Sequence, residues 1–245
     1  MPEHLLVTIG KERFSDPERN FIPFLNDIEQ DIFLNDIEKS PHAFVLACLM
    51  DRQIKAERAW SIPYRIKDIV GSFNIDDLAS VSLEEYKNIF NRNVLHRFND
   101  TMAEVFYSAV QDIKVKYNGD ASQIWSNKPS SAKVVYEFLQ FKGSGKKIAT
   151  MAANILARQF KIPFSDYYSI DISPDVHILR VMRRTGLVDS NADLDSIIYK
   201  ARELNPEFPG IIDFSCWEIG RTWCRPNNPN CNECIIRADC KKVIF

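Results

Sequence analysis

Four cysteines close the chain, Cys224, Cys231, Cys234 and Cys240, spaced C-x6-C-x2-C-x5-C, and only Cys48 and Cys216 lie outside the group. In a chain without an export signal, thiols clustered this way hold a metal or an inorganic cluster rather than pair as disulfides. The Pro/Asn-rich run Arg225–Asn230 lets the backbone wrap a compact centre. The tight Cys231-x2-Cys234 pair suits zinc or an iron–sulfur cluster alike. The wide flanks are unlike the paired CxxC motifs of zinc ribbons.

Two further segments carry groups able to do chemistry. In Phe141-Lys142-Gly143-Ser144-Gly145-Lys146-Lys147-Ile148-Ala149, a Gly-x-Gly sits between two helical patterns. It permits a tight turn with positive φ and points N–H groups outward at the start of the next helix. With the helix dipole behind them, such groups cradle a phosphate, and Lys142, Lys146 and Lys147 add charge. The same residues would equally serve as an ordinary helix connection with solvated lysines. Downstream, Ser173-Pro174-Asp175 before a helical pattern reads as an N-cap, and a capping carboxylate is held rigidly.

The elements that must position these groups are helical. Residues 43–50 are apolar all round, as in a helix buried in a core, and 101–116 place Met102, Val105, Phe106, Ala109, Val110 and Ile113 at helical spacing. Thr150–Phe160, Val176–Arg184 and Leu194–Leu204 also read as helices. Breaks are expected at Ser61–Pro63, Asn118–Asp120, Asn127–Pro129 and Asn205–Pro209. No strand alternation of useful length occurs, so the expectation is an all-α, two-lobed chain. The hexapeptide Phe-Leu-Asn-Asp-Ile-Glu occurs at 24–29 and again at 33–38, a spacing too short for a solenoid. It reads as an acidic amphipathic stretch packing on the C-terminal lobe.

With 245 residues, 45% hydrophobic and 26% charged, the chain can bury a sizeable core. No apolar run approaches the roughly 18 residues of a membrane span, and nothing suggests export, so a cytoplasmic protein is expected. Net charge is −2, yet its distribution is uneven. Residues 1–40 hold four Lys/Arg against nine Asp/Glu; residues 131–184 hold nine against four, and 219–245 five against two. A polyanion responds to the local field rather than to the sum.

The tail Gly220-Arg-Thr-Trp-Cys224…Cys231-Asn-Glu-Cys234…Cys240, approached by Trp217–Arg221, resembles the C-terminal [4Fe–4S] loop of endonuclease III, a DNA-repair glycosylase. Residues 141–149 resemble that family's helix–hairpin–helix LPGVGxKTA, with Gly143, Gly145, Lys147 and Ala149 matched and Phe141, Lys142 and Ile148 departing from it. Ile172-Ser-Pro-Asp175-Val-His177-Ile-Leu-Arg180-Val resembles VDTHVxRV. The matches cover about residues 43–240, in the family's chain order.

The resemblance implies a two-lobed helix–hairpin–helix glycosylase fold. A six-helix barrel would span 43–160, with the hairpin at about 132–158, and residues 1–42 would join 161–245 in a terminal lobe carrying the cluster loop 224–240. It implies Lys147 as catalytic nucleophile, Asp175 as catalytic carboxylate and one [4Fe–4S] cluster on the four cysteines. Gln53 would enter the duplex, and Lys142, Gly143, Gly145, Lys146 and Arg225 would meet the DNA backbone. The implied partner is duplex DNA with a damaged base or abasic site, bound by a monomer, nucleoid-associated if prokaryotic. The implied activity is base removal with AP lyase cleavage through a lysine Schiff base. A monofunctional glycosylase for alkylated or mismatched bases, and a non-catalytic iron–sulfur or zinc DNA-binding protein, are the alternatives. Cys48 stands where adenine-mismatch glycosylases carry a Glu. The 28 residues from Lys147 to Asp175 exceed the separation expected of endonuclease III proper, the extra length falling in Phe160–Asp171.

Overall fold

A computed structural model describes residues 3–19 and 21–243, and among them the regular elements are helices with no strand. In chain order the α-helices are α1 (Leu5–Ser15), α2 (Ile28–Asn35), α3 (Pro41–Met50), α4 (Ala56–Val70), α5 (Ile75–Ser80) and α6 (Leu83–Arg92). They continue as α7 (Asn99–Lys116), α8 (Ser131–Gln140), α9 (Lys146–Arg158), α10 (Val176–Thr185), α11 (Leu194–Leu204) and α12 (Asp213–Thr222). Short 3-10 turns occupy Ala121–Ile124 and Pro209–Ile212. None of these helices is long and apolar enough to cross a membrane.

The chain divides into two compact units. One comprises Met1–Arg19, Lys128–Val135 and Ala149–Phe245; the other comprises Asn20–Asn127 and Tyr136–Ile148. These boundaries differ from the expected 43 and 160 for identifiable reasons. Phe24 stacks on Trp60 at 4.2 Å, Phe33 meets Tyr64 and Phe73 edge-on, and α2 packs on α3 and α4, which ties this stretch to them. The acidic repeat therefore packs, within its own unit, on α3 and α4. Its two copies also differ in structure, the first bending into the start of α2 and the second finishing it. At the other boundary, the Asn154 amide donates to the Asp171 carbonyl (3.1 Å), which keeps the body of α9 with the terminal residues.

In the Asn20–Asn127 unit the core is built round α3, all ten of whose residues are buried. A helix apolar on every side has to be wrapped rather than laid on a surface. Phe44 meets Trp125 and Phe138 edge-on, and α4 and α7 pack along its flanks. The break expected at Ser61–Pro63 is absent: Pro63 lies inside α4. An interior proline costs about 3 kcal/mol, and burial of Trp60, Ile62, Pro63 and Ile66 on one face of α4 offsets it. The other three breaks fall at helix boundaries, with Asn118, Gly119, Asn127 and Lys128 at positive φ.

In the terminal unit α10 packs along α12, and α1 packs on α12 and on Pro209–Ile212. A Cβ on Gly220 would stand 2.7 Å from the His177 Cβ, so α10 and α12 approach as closely as they do because position 220 has no side chain.

Candidate active site

The hairpin segment forms as expected, with one difference in where glycine is required. Gly143 has φ +80°, and a Cβ there would lie 2.9 Å from Val105 Cγ2 of α7. Gly145 has no positive φ, and a Cβ there would meet nothing within 4 Å. The left-handed turn thus depends on the first glycine alone. Ser144 N–H donates to the Phe141 carbonyl (3.0 Å), closing the turn, and α9 starts at Lys146. Lys142 is ion-paired with Glu104 (3.1 Å), which Lys87 also holds (3.0 Å). The two lysines, acting first through their hydrogen bonds, keep the Glu104 carboxyl below its ordinary range.

Lys147, in the first turn of α9, has its Nζ 3.6 Å from Asp51 Oδ2; the side chains are 36% and 10% exposed. Asp51 directly follows α3 and opens the segment that carries Gln53. Gln53 is exposed and left-handed, with φ +56°. That segment is fixed from behind. The Met50 carbonyl accepts from Arg52 N–H (2.7 Å) and from buried His96 Nε2 (3.3 Å), while His96 Nδ1 accepts from Phe98 N–H (3.1 Å). This pattern assigns the ring proton to Nε2. Burial lowers the His96 pKa, in keeping with a neutral ring.

In the terminal unit Asp175 caps α10, its Oδ1 accepting from His177 N–H at 2.7 Å. Two residues earlier, Ser173 N–H donates to the Asp213 carboxylate (2.5 Å), which anchors the strap leading into Asp175. Asp213 is buried, and desolvation pushes its pKa up to about 6 against the opposing pull of Arg158. Burial draws Arg158 down to about 10, and its guanidinium lies 4.8 Å above the Phe214 ring.

The four cysteines lie in an irregular loop after α12 that arginines from α10 hold by its carbonyls. Arg180 donates to the Cys224 and Gly220 oxygens (both 2.7 Å), and Arg184 to those of Arg225 (2.6 Å) and Pro226 (2.9 Å). Arg225 itself is exposed. The Cys234 and Cys240 thiols are pushed up by burial and, secondarily, by the charges of the cysteines around them. Arg184 points an N–H at Cys224 Sγ (3.8 Å), and Lys242 N–H points at Cys240 Sγ (3.4 Å), donors suited to thiolates. Among the described residues no three His, Cys, Asp or Glu side chains are gathered on the scale of a single metal ion. A [4Fe–4S] cluster makes a different demand, since its four thiolates surround a larger body.

Comparison with known proteins fits this architecture. No family model matches the chain. A solved structure of a trapped endonuclease III–DNA covalent intermediate superposes with a TM-score of 0.64 at 16% identity, covering 97% of this chain and 93% of that one. A thermostable thymine-DNA glycosylase gives 0.62 at 15% identity, covering 97% and 94%. The chain has the endonuclease III fold. Its sequence is 30% identical to endonuclease III of Thermotoga maritima over 105 residues, 43% of this chain and 45% of that protein. It is 26% identical to adenine DNA glycosylase of Buchnera aphidicola over 218 residues, 85% of this chain and 53% of that protein. It spans about half the length of these curated relatives.

Asp51, His96, Asp213 and Arg184 escaped the sequence reading, and Arg180 entered it only as a matched position in the Asp175 motif, without a role. Only Asp51 had a signal there, an acid directly after an all-apolar helix. The others act on backbone groups that no spacing reveals.

Two outcomes follow from this geometry. Gly143→Ala should lower stability by about 1–2 kcal/mol, the cost of left-handed backbone with a Cβ, plus the clash with Val105, whereas Gly145→Ala should be near neutral; urea unfolding of both variants measures this. Asp213 is the second case. Its folded pKa lies above its unfolded one, so its contribution is complete below about pH 4 and is lost as pH rises through about 6. The unfolding free energy of the wild type relative to Asp213→Asn, from urea titrations, should therefore fall between pH 4 and 6 by on the order of 2–3 kcal/mol, and stay level above. A wild type that gains on Asp213→Asn over that interval would contradict the assignment.

Proposed function

We propose that the chain is a DNA base-excision glycosylase with associated AP lyase activity. It would act on duplex DNA that carries a damaged base or an abasic site. The observation that supports this most is the endonuclease III fold with a lysine, Lys147, in the first turn of the helix after the Gly143 hairpin. A glycosylase has to extrude its base, bind it and break the N-glycosidic bond. The exposed, left-handed Gln53 is suited to fill the space the nucleotide leaves. Lys142, Lys146 and the Gly143–Gly145 turn bind backbone phosphate without reading bases, as does Arg225 on the cysteine loop. Lys142 would exchange Glu104 for phosphate.

The anomeric carbon gains positive charge as the bond breaks, and a fixed carboxylate stabilises it. Asp175 supplies that charge, held by its capping bond. Lys147, as the neutral amine, attacks the anomeric carbon to form a Schiff base, from which β-elimination expels the 3′ phosphate. Cys224, Cys231, Cys234 and Cys240 hold a [4Fe–4S] cluster, which when bound supplies a structural centre for the loop that presents Arg225. Arg180 and Arg184 hold that loop from the protein side.

Borohydride reduction on an abasic duplex should trap a covalent adduct that Lys147→Ala abolishes and Lys146→Ala retains. Asp175→Asn should slow base release from a lesion panel by roughly 10²–10³-fold, the usual loss when one electrostatic stabiliser is removed. Persistence of the adduct in Lys147→Ala would sink the lyase assignment, and base removal without any adduct would make the enzyme monofunctional. Anaerobically purified protein should be brown and carry about four irons per chain; stoichiometric zinc without iron would overturn the cluster.

A further inference from the structure

We propose that Asp51 takes the proton Lys147 must lose before its amine can act as a nucleophile. The proposal rests on the reading of Lys147 as that nucleophile. A protonated lysine has no lone pair, and Asp51 Oδ2 stands 3.6 Å from Lys147 Nζ. The carboxylate follows directly on ten buried residues of α3, and hydrogen bonds from Arg52 N–H and His96 to the Met50 carbonyl fix the backbone beside it. Its position is set by the core and not by the lysine.

The transfer is balanced. One N–H bond of the ammonium breaks, its electron pair stays on Nζ, and the proton joins Asp51 Oδ2. An ion pair becomes a neutral amine and a neutral acid with no change in total charge. Exclusion of water favours the neutral pair, because desolvation penalises both charged forms. The freed lone pair then bonds the anomeric carbon as the bond to the leaving group breaks and its electrons depart with that group.

The surrounding groups leave this role to Asp51. Lys146 and Arg52 are cations. Burial, and then the Asp51 charge, hold the Cys48 thiol protonated, and burial favours a neutral His96. On α4, Arg58 donates to the Leu95 and Val94 carbonyls; on α7, Glu104 is engaged by Lys87 and Lys142.

The test uses the full chain, a duplex with a preformed abasic site so that base removal is bypassed, and cyanoborohydride trapping from pH 6 to 9.5. Asp51→Asn should trap about 10²-fold more slowly at pH 7, the low end of general-base effects, and recover as pH approaches the ordinary lysine value near 10. Asp51→Glu should keep most of the rate. Equal or faster trapping by Asp51→Asn at pH 7, or a loss that is the same at every pH, would overturn the proposal. Should Asp51→Asn fail to fold by circular dichroism, Asp51→Ser takes its place: a loss at pH 7 that recovers as pH rises supports the role, and trapping equal to wild type at pH 7 refutes it. A wild type that forms no adduct, or a Lys147→Ala protein that still does, removes the nucleophile reading itself and is distinguishable from both.

Discussion

A carboxylate placed at the end of a fully buried helix has to be met by positive charge, and much of the candidate site follows from that constraint. The ten residues of α3 are apolar and enclosed, and Asp51 comes next, nine-tenths covered. Water cannot solvate it fully, so Lys147 from the first turn of α9 does part of that work. The hairpin must then deliver α9 to the end of α3, and the left-handed Gly143, closed against Val105, does so. Arg52, Gln53 and the His96 contact to the Met50 carbonyl follow on the same segment.

The terminal unit applies a different device to a similar need. Segments without regular structure are held there by charged side chains that bond to backbone groups. Arg180 and Arg184 reach four carbonyls around the cysteine loop, and Asp213 takes the N–H of Ser173 on the strap leading to Asp175. A buried Asp213 beside a buried Arg158 is weak support for stability, since desolvation offsets much of their attraction. Its value is positional: the strap is anchored two residues before Asp175.

The two halves of the likeness carry different weight. Superposition over nearly the whole chain at about 16% identity establishes an architecture. The sequence relatives, matched over about half their length, bring the chemistry closer without transferring it. One fold hosts many activities, so the proposed activity rests on Lys147, Asp175 and the four cysteines rather than on the architecture.

The sequence by itself determined the helical class, the positions of α3, α7, α10 and α11, the Asp175 cap and the cysteine spacing. Each of these depends on periodicity or on neighbours within a few residues, which the chain displays directly. It misplaced a break at Pro63, because the burial that offsets an interior proline is invisible locally, and it did not foresee the packing of the acidic repeat on α4, because nothing local says that Phe24 will find Trp60. Only the tertiary structure decided that Gly143 rather than Gly145 needs to be glycine, since the obstacle is Val105 on a distant helix. The Asp51–Lys147 and Asp213–Ser173 pairings were likewise settled there. Their partners lie 96 and 40 residues apart in the chain, and only the packing of the elements that carry them brings them within reach.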